Sequence, residues 1–136
     1  MAERFDLTHI HHVNLLVRDL KTAKQAYSDV FNVDFIDEAL PERGVLTSRF
    51  SIGESWLVLI EPIAEGEPMQ QLRERGEGLF LLSLGVAQSA HVATMPSELR
   101  DRVSKMREGI SGWRVADIQV GDEPSGQLQI AFGQTD

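Results

Sequence analysis

HVNLLVRDL, residues 12–20, is a short apolar run that gives way at Asp19 to a helical pattern. His12 to Val17 reads as a buried strand. Asp19 is an N-cap residue for a helix in which Leu20, Ala23, Tyr27, Val30 and Phe31 recur near helical spacing. Lys21, Lys24, Gln25 and Ser28 fill the other side of that helix. Beyond it come Phe35–Ile36, a turn at Pro41–Gly44 and a strand through Val45–Phe50. A tight turn at Gly53–Glu54 leads into Trp56–Ile60, which predicts a hairpin. The first stretch therefore reads β-α-β-β-β.

A similar order follows a connector. Pro68 and Gly76 bracket one short helix, with proline at its start and glycine just past its end. LFLLSLGV, residues 79–86, is again a buried strand. Pro96–Ser97 opens a helix whose Leu99, Val103 and Met106 share one face, and Gly109 ends it. Trp113–Val120 and Gln127–Phe132 finish as strands. His12 and Leu81 occupy equivalent positions, 81 − 12 = 69 residues apart. Two copies at that period point to an internal duplication rather than a solenoid. The expected fold is α+β: a first module over about 8–62, a connector over 63–78 and a second module over 79–136. The two βαβββ modules would form a curved sheet around a pocket. The second is one strand short if Gln127–Phe132 is its penultimate strand.

Composition narrows the function classes. The chain has 136 residues, 42% of them hydrophobic and 25% charged, which suits one globular core rather than disorder. Its net charge is −8, and its 13 basic residues are scattered, which argues against a phosphate-backbone partner. The densest basic run, Arg73 and Arg75, is broken by Glu74 and Glu77 and reads as a solvated helix face. With no cysteine, disulfides, thiolate zinc sites and thiol nucleophiles are excluded. No apolar run is long enough to span a bilayer and MAERFDLTH has no signal-peptide core, so a cytoplasmic protein is expected.

Four segments carry a family resemblance: HVNLLVRDL (12–20), PERGV (41–45), IGESWLVLIEP (52–62) and RGEGLFLLSLGV (75–86). With them the chain resembles the vicinal oxygen chelate superfamily of glyoxalases, bleomycin-resistance proteins and dioxygenases. The methylmalonyl-CoA epimerase branch is the most similar. The resemblance implies metal ligands on strands lining a pocket. His12 falls on the first ligand position, but Val58 and Leu81 stand on the second and third. The fourth is either Ile130 or beyond the end of the chain. Catalytic divalent sites take three or more N or O ligands, so no cofactor is expected. A divalent metal, with His12 as ligand, is the alternative.

His9, His11 and His12 crowd together, but alternate strand residues point to opposite faces, so His9 and His11 are read as polar strand-entry residues. His91 has no partner at ligand spacing. Glu38 falls where the resemblance implies a proton-transfer base, which would also need an enolate stabiliser. Strand phase groups His12 with Asn14 and Leu16, Val58 with Trp56 and Ile60, and Leu81 with Leu79 and Ser83. That wall, apolar with polar points at His12, Asn14 and Ser83, suits either a small-ligand pocket or a filled core. Three functions follow. One is a metal-free small-molecule-binding protein whose ligand is apolar, aromatic or an acyl thioester. Another is an epimerase- or lactoylglutathione-lyase-like enzyme with an altered site. The third is an assembly module with a filled pocket. If the last strand is absent, the sheet edge it leaves unpaired would make the protein a homodimer.

Overall fold

The computed structural model describes residues 6–87, 95–120 and 127–132. Its elements are β1 (Leu7–Leu16), α1 (Leu20–Val30), β2 (Ile36–Leu40), β3 (Val45–Ile52), β4 (Ser55–Pro62), α2 (Glu67–Arg75), β5 (Gly78–Val86), α3 (Ser97–Arg100), β6 (Arg107–Glu108), β7 (Arg114–Asp117) and β8 (Leu128–Phe132). The class is α+β, as expected. The chain divides into two compact units, residues 12–80 and residues 1–11 with 81–136, and β1 contributes a half to each.

In the first unit the strand order is β2-β3-β4-β1. β4 runs parallel to β1, and the β2-β3 and β3-β4 pairs are antiparallel. A parallel pair requires a long connection, and α1 with its two following strands supplies it. The start of α1 is well capped: Thr22 N–H donates to Asp19 Oδ1 at 2.9 Å and Leu20 N–H to Glu61 Oε1 at 2.7 Å. Two of the amides left open at a helix start are thereby satisfied. Tyr27 of α1 meets Phe50 at 6.0 Å, and Phe35 meets the same ring edge-on at 5.5 Å. Gly44 closes the turn before β3 at φ 69°, where a Cβ would also press on Ala64 at 2.9 Å.

The second unit has the order β1-β5-β8-β7-β6, with β5 and β8 parallel and the β7-β8 and β6-β7 pairs antiparallel. Its core gathers Val86, Met95, Ala116, Ile130 and Phe132. Three expectations change here. β1 begins at Leu7 rather than His12, because pairing along β5 (Ala87 N–H to Asp6 O, 3.2 Å) holds a polar segment extended. The helix expected to run to Gly109 is a single turn. Val103 leaves it to bridge Ile118, and Ser104 N–H bonds Asp117 O at 2.9 Å, so strand pairing outcompetes helical periodicity. Leu99, Val103 and Met106 still pack on the core cluster. Finally, the second module is not a strand short. The two-residue β6 completes β-α-β-β-β, and β8 runs parallel to β5 as β4 does to β1. β6 was missed because two polar residues carry no apolar signature.

Candidate functional site

Pairing registers show which residues share a face. In the first unit one row crosses β3, β4 and β1 as Arg49–Val58–Asn14, and a neighbouring row pairs Trp56 with His12. His12, Asn14, Arg49 and Val58 are buried, and Trp56 is half-buried. The structure thus brings His12, Asn14, Trp56 and Val58 onto one sheet face, as strand phase implied. It adds Arg49, which the sequence reading passed over.

Arg49 is held on two sides. Its Nη1 donates to Glu38 Oε1 at 2.9 Å, and its guanidinium lies 5.5 Å from the centre of the Trp56 ring. Burying such a cation is costly unless it is paired, and Glu38 together with the aromatic face provides the pairing. Glu38 is therefore engaged by a guanidinium that competes for the lone pairs a proton-transfer base would use. Asn14 Oδ1, by contrast, is buried with no hydrogen-bond partner.

In the second unit the corresponding row is Asp117–Gln129–Ser83. Gln129 lies opposite Ser83 as Val58 lies opposite Asn14. The counterpart of Val58 is therefore Gln129 and not Ile130, which points into the core cluster. Ser83 Oγ and Gln129 Oε1 are both buried without a partner. Leu81 is buried in phase with Ser83, but Leu79 at the strand start is 61% exposed and leaves that wall.

These residues fit a divalent metal poorly. Val58 and Leu81 offer no donor, Gln129 offers a weak neutral oxygen, and His12 is a single imidazole. Among the described residues no group of three His, Cys, Asp or Glu side chains could hold an ion. Catalytic and structural divalent sites need at least three such donors.

His9 and His11 belong to the second unit. Their rings lie 5.8 Å apart, and His11 meets Trp113 edge-on at 4.7 Å. Burial, with the neighbouring His9 adding to it, lowers the His11 pKa to about 4. His91 lies outside the described residues.

A cleft of about 730 Å³ opens on the α1 side of the first unit, lined by Lys24, Asp37, Ser48 and Glu61 among others. Its charged groups answer one another. Lys24 pairs with Asp37 at 2.9 Å, Ser48 also donates to Asp37, and Glu61 caps α1. These two donors, Ser48 first, hold the Asp37 carboxyl below its ordinary pKa. The polar atoms lacking partners lie elsewhere, on the rows described above.

The Glyoxalase/Bleomycin resistance protein/Dioxygenase superfamily model matches residues 9–117. The chain belongs to this superfamily. No curated protein matches it. Among solved structures it is similar to methylmalonyl-CoA epimerase from Mycobacterium tuberculosis (TM-score 0.81, 21% identity, covering 99% of this chain and 94% of that one). It is also similar to a variant of the Streptomyces coelicolor methylmalonyl-CoA epimerase in complex with 2-nitronate-propionyl-CoA (TM-score 0.78, 26% identity, 93% and 95%). A methylmalonyl-CoA epimerase in complex with methylmalonyl-CoA and NH4+ matches equally well (TM-score 0.78, 26% identity, 93% and 95%). Among the described residues no helix is long and apolar enough to cross a membrane.

Proposed function

We propose that this chain is a metal-free, small-molecule-binding member of its superfamily, and that its ligand is a small acyl thioester. The observation that carries this is that three buried polar atoms, Asn14 Oδ1 on the first unit's row and Ser83 Oγ and Gln129 Oε1 on the second's, have no hydrogen-bond partner. Each such atom costs about 1–3 kcal/mol when left unpaired, so a sequence that keeps three of them has a use for them. Small-ligand sites have this composition, with apolar walls and a few orienting polar groups. The ligand contacts are assigned to His12, Asn14, Trp56 and Val58 on the sheet face of the first unit. The acyl thioester comes from the structural relatives, two of which hold CoA esters. No metal takes part, because Val58 and Leu81 replace donors with hydrocarbon.

The same likeness favours a second reading, an isomerase or lyase acting on an acyl thioester, with Glu38 as its base. Arg49 weighs against it by occupying that carboxylate. The protein is proposed to work in the cytoplasm as a homodimer, pairing through the end strands β2 or β6. A monomer by light scattering at micromolar concentration overturns the dimer.

Thermal shift of untagged protein with and without chelator tests the main reading. Propionyl-CoA should raise the melting temperature equally in both conditions, since a ligand that binds only the native state stabilises it. Stoichiometric divalent metal in the purified protein, or a shift abolished by chelator, sinks it. Turnover of a CoA ester that disappears in Glu38→Gln would establish the enzyme instead.

A further inference from the structure

Asn14 is 6% exposed, and its Oδ1 is buried with no hydrogen-bond partner. It stands opposite Val58 of β4, which is fully buried and whose side chain has no proton to give. A carbonyl oxygen carries two lone pairs and no hydrogen, so only an N–H or an O–H can satisfy it. We infer that Asn14 is a specificity-determining residue, and that the acyl group of the ligand is uncharged and donates a hydrogen bond to its Oδ1 from a hydroxyl or an amide N–H. The inference rests on the reading that this face takes an acyl thioester, and it names the kind of acyl group.

Two features of the first unit's row set the chemistry. The charged groups there already answer one another: Arg49, across Val58 from Asn14, is closed on Glu38 at 2.9 Å and lies against the Trp56 ring. A ligand carboxylate would add a third charge to a balanced pair in a buried place where screening is weak. It would also set its own lone pairs against those of Asn14 Oδ1, as a ketone would. A hydroxyl does neither. The surroundings of Asn14 on its own face are hydrocarbon, with Leu16 buried two residues along β1 and Val58 beside it. In such a medium a hydrogen bond is strong when made and an open acceptor is expensive. Leucine, of similar size, would fill the position without that penalty, and asparagine is otherwise disfavoured in the middle of a strand.

The second unit repeats the pattern by itself. On its row the charged residue, Asp117, is closed by Arg107 through two bonds of 2.9 and 3.1 Å. The atoms left without partners there, Ser83 Oγ and Gln129 Oε1, again belong to a hydroxyl and an amide. In each unit the charges are answered within the protein, and what stays open is neutral. A face built to receive an anion would show the reverse, with its neutral groups bonded and a cation left over.

Calorimetry on the full chain in chelator tests this with four esters, 3-hydroxybutyryl-CoA, acetoacetyl-CoA, butyryl-CoA and methylmalonyl-CoA, and with 3-hydroxybutyramide as a probe without CoA. The hydroxyl of the first is replaced in the second by a carbonyl that accepts only, in the third by nothing; the fourth brings a charge. Wild type should bind 3-hydroxybutyryl-CoA at least ~10-fold more tightly than each of the others, because a site built for a donor rejects ligands that lack it. Asn14→Leu should bring 3-hydroxybutyryl-CoA to the same affinity as butyryl-CoA. If that variant fails to fold, Asn14→Met takes its place, and failure of both would make Asn14 a structural residue and overturn the inference. Acetoacetyl-CoA, butyryl-CoA or methylmalonyl-CoA binding as tightly as 3-hydroxybutyryl-CoA, or a preference that survives the substitution, also overturns it and leaves the acyl-thioester reading standing. Binding of 3-hydroxybutyramide alone, lost in Asn14→Leu, keeps the donor assignment and sinks the thioester. Binding of none of the five overturns both.

Discussion

The two units share an element order and a cross-strand row, yet they spend their polar residues differently. The first carries Arg49–Val58–Asn14 and buries a cation; the second carries Asp117–Gln129–Ser83, buries neutral groups and leaves its ion pair in water. Duplication therefore preserved the scaffold and let the side chains on each row diverge. A polar side chain held inside at a cost points to recognition, whereas the same chemistry at the surface is only structural.

The sharpest way to break this contrast is to remove one cation from each unit. Arg49→Met should cost about 2–4 kcal/mol in urea unfolding, since it strips Glu38 of its partner and Trp56 of its cation. Arg107→Met should cost less than about 1 kcal/mol, as exposed pairs do. Equal losses would mean that the two ion pairs support the fold alike. Next in size is Gly85→Ala. Its Cβ would lie 2.6 Å from a carbon of the His9 ring, and about 1–3 kcal/mol of overpacking should follow. His9→Ala should restore most of that loss if the clash is the cause.

Acidification separates the units as well. His11 has a folded pKa of about 4 against an ordinary value near 6.5. Between those pH values the unfolded chain binds more protons than the folded one, so stability falls as pH drops through the window. The ring is partly exposed, which limits the effect to about 1 kcal/mol. His11→Gln should flatten the melting temperature over that range. If it does not, His11 is not the group responsible. The smallest effect has the opposite sign. Ser83→Ala and Gln129→Met should each leave stability unchanged or raise it by about 0.5–1 kcal/mol, because unpartnered buried atoms disappear. A loss above 1 kcal/mol in either would mean that the pair supports the fold instead of a ligand.

Much of this was legible in the residues. Asp19 capped its helix, Gly53–Glu54 turned the hairpin, and Pro68 and Gly76 bracketed α2, because each acts through its own backbone conformation or through the next few amides. Arg49 was legible too, though less directly. A two-residue turn at Gly53–Glu54 fixes Ile52 opposite Ser55 and hence Arg49 opposite Val58. The extent of the C-terminal helix was not legible, since Leu99, Val103 and Met106 keep a helical spacing that the chain abandons after one turn.

The sequence by itself determined the β-α-β-β-β order of the first module, the start of its repeat at Leu79–Val86, the buried strands and the hydrocarbon at positions 58 and 81. These follow from periodicity, turn chemistry and residue identity, which are local. Only the tertiary structure decided that β6 exists, that Gln129 and not Ile130 answers Val58, and that Arg49 pairs with Glu38 within the sheet. Strand register and charge pairing join residues 9 to 46 positions apart in the chain, and their energies depend on who the neighbour is.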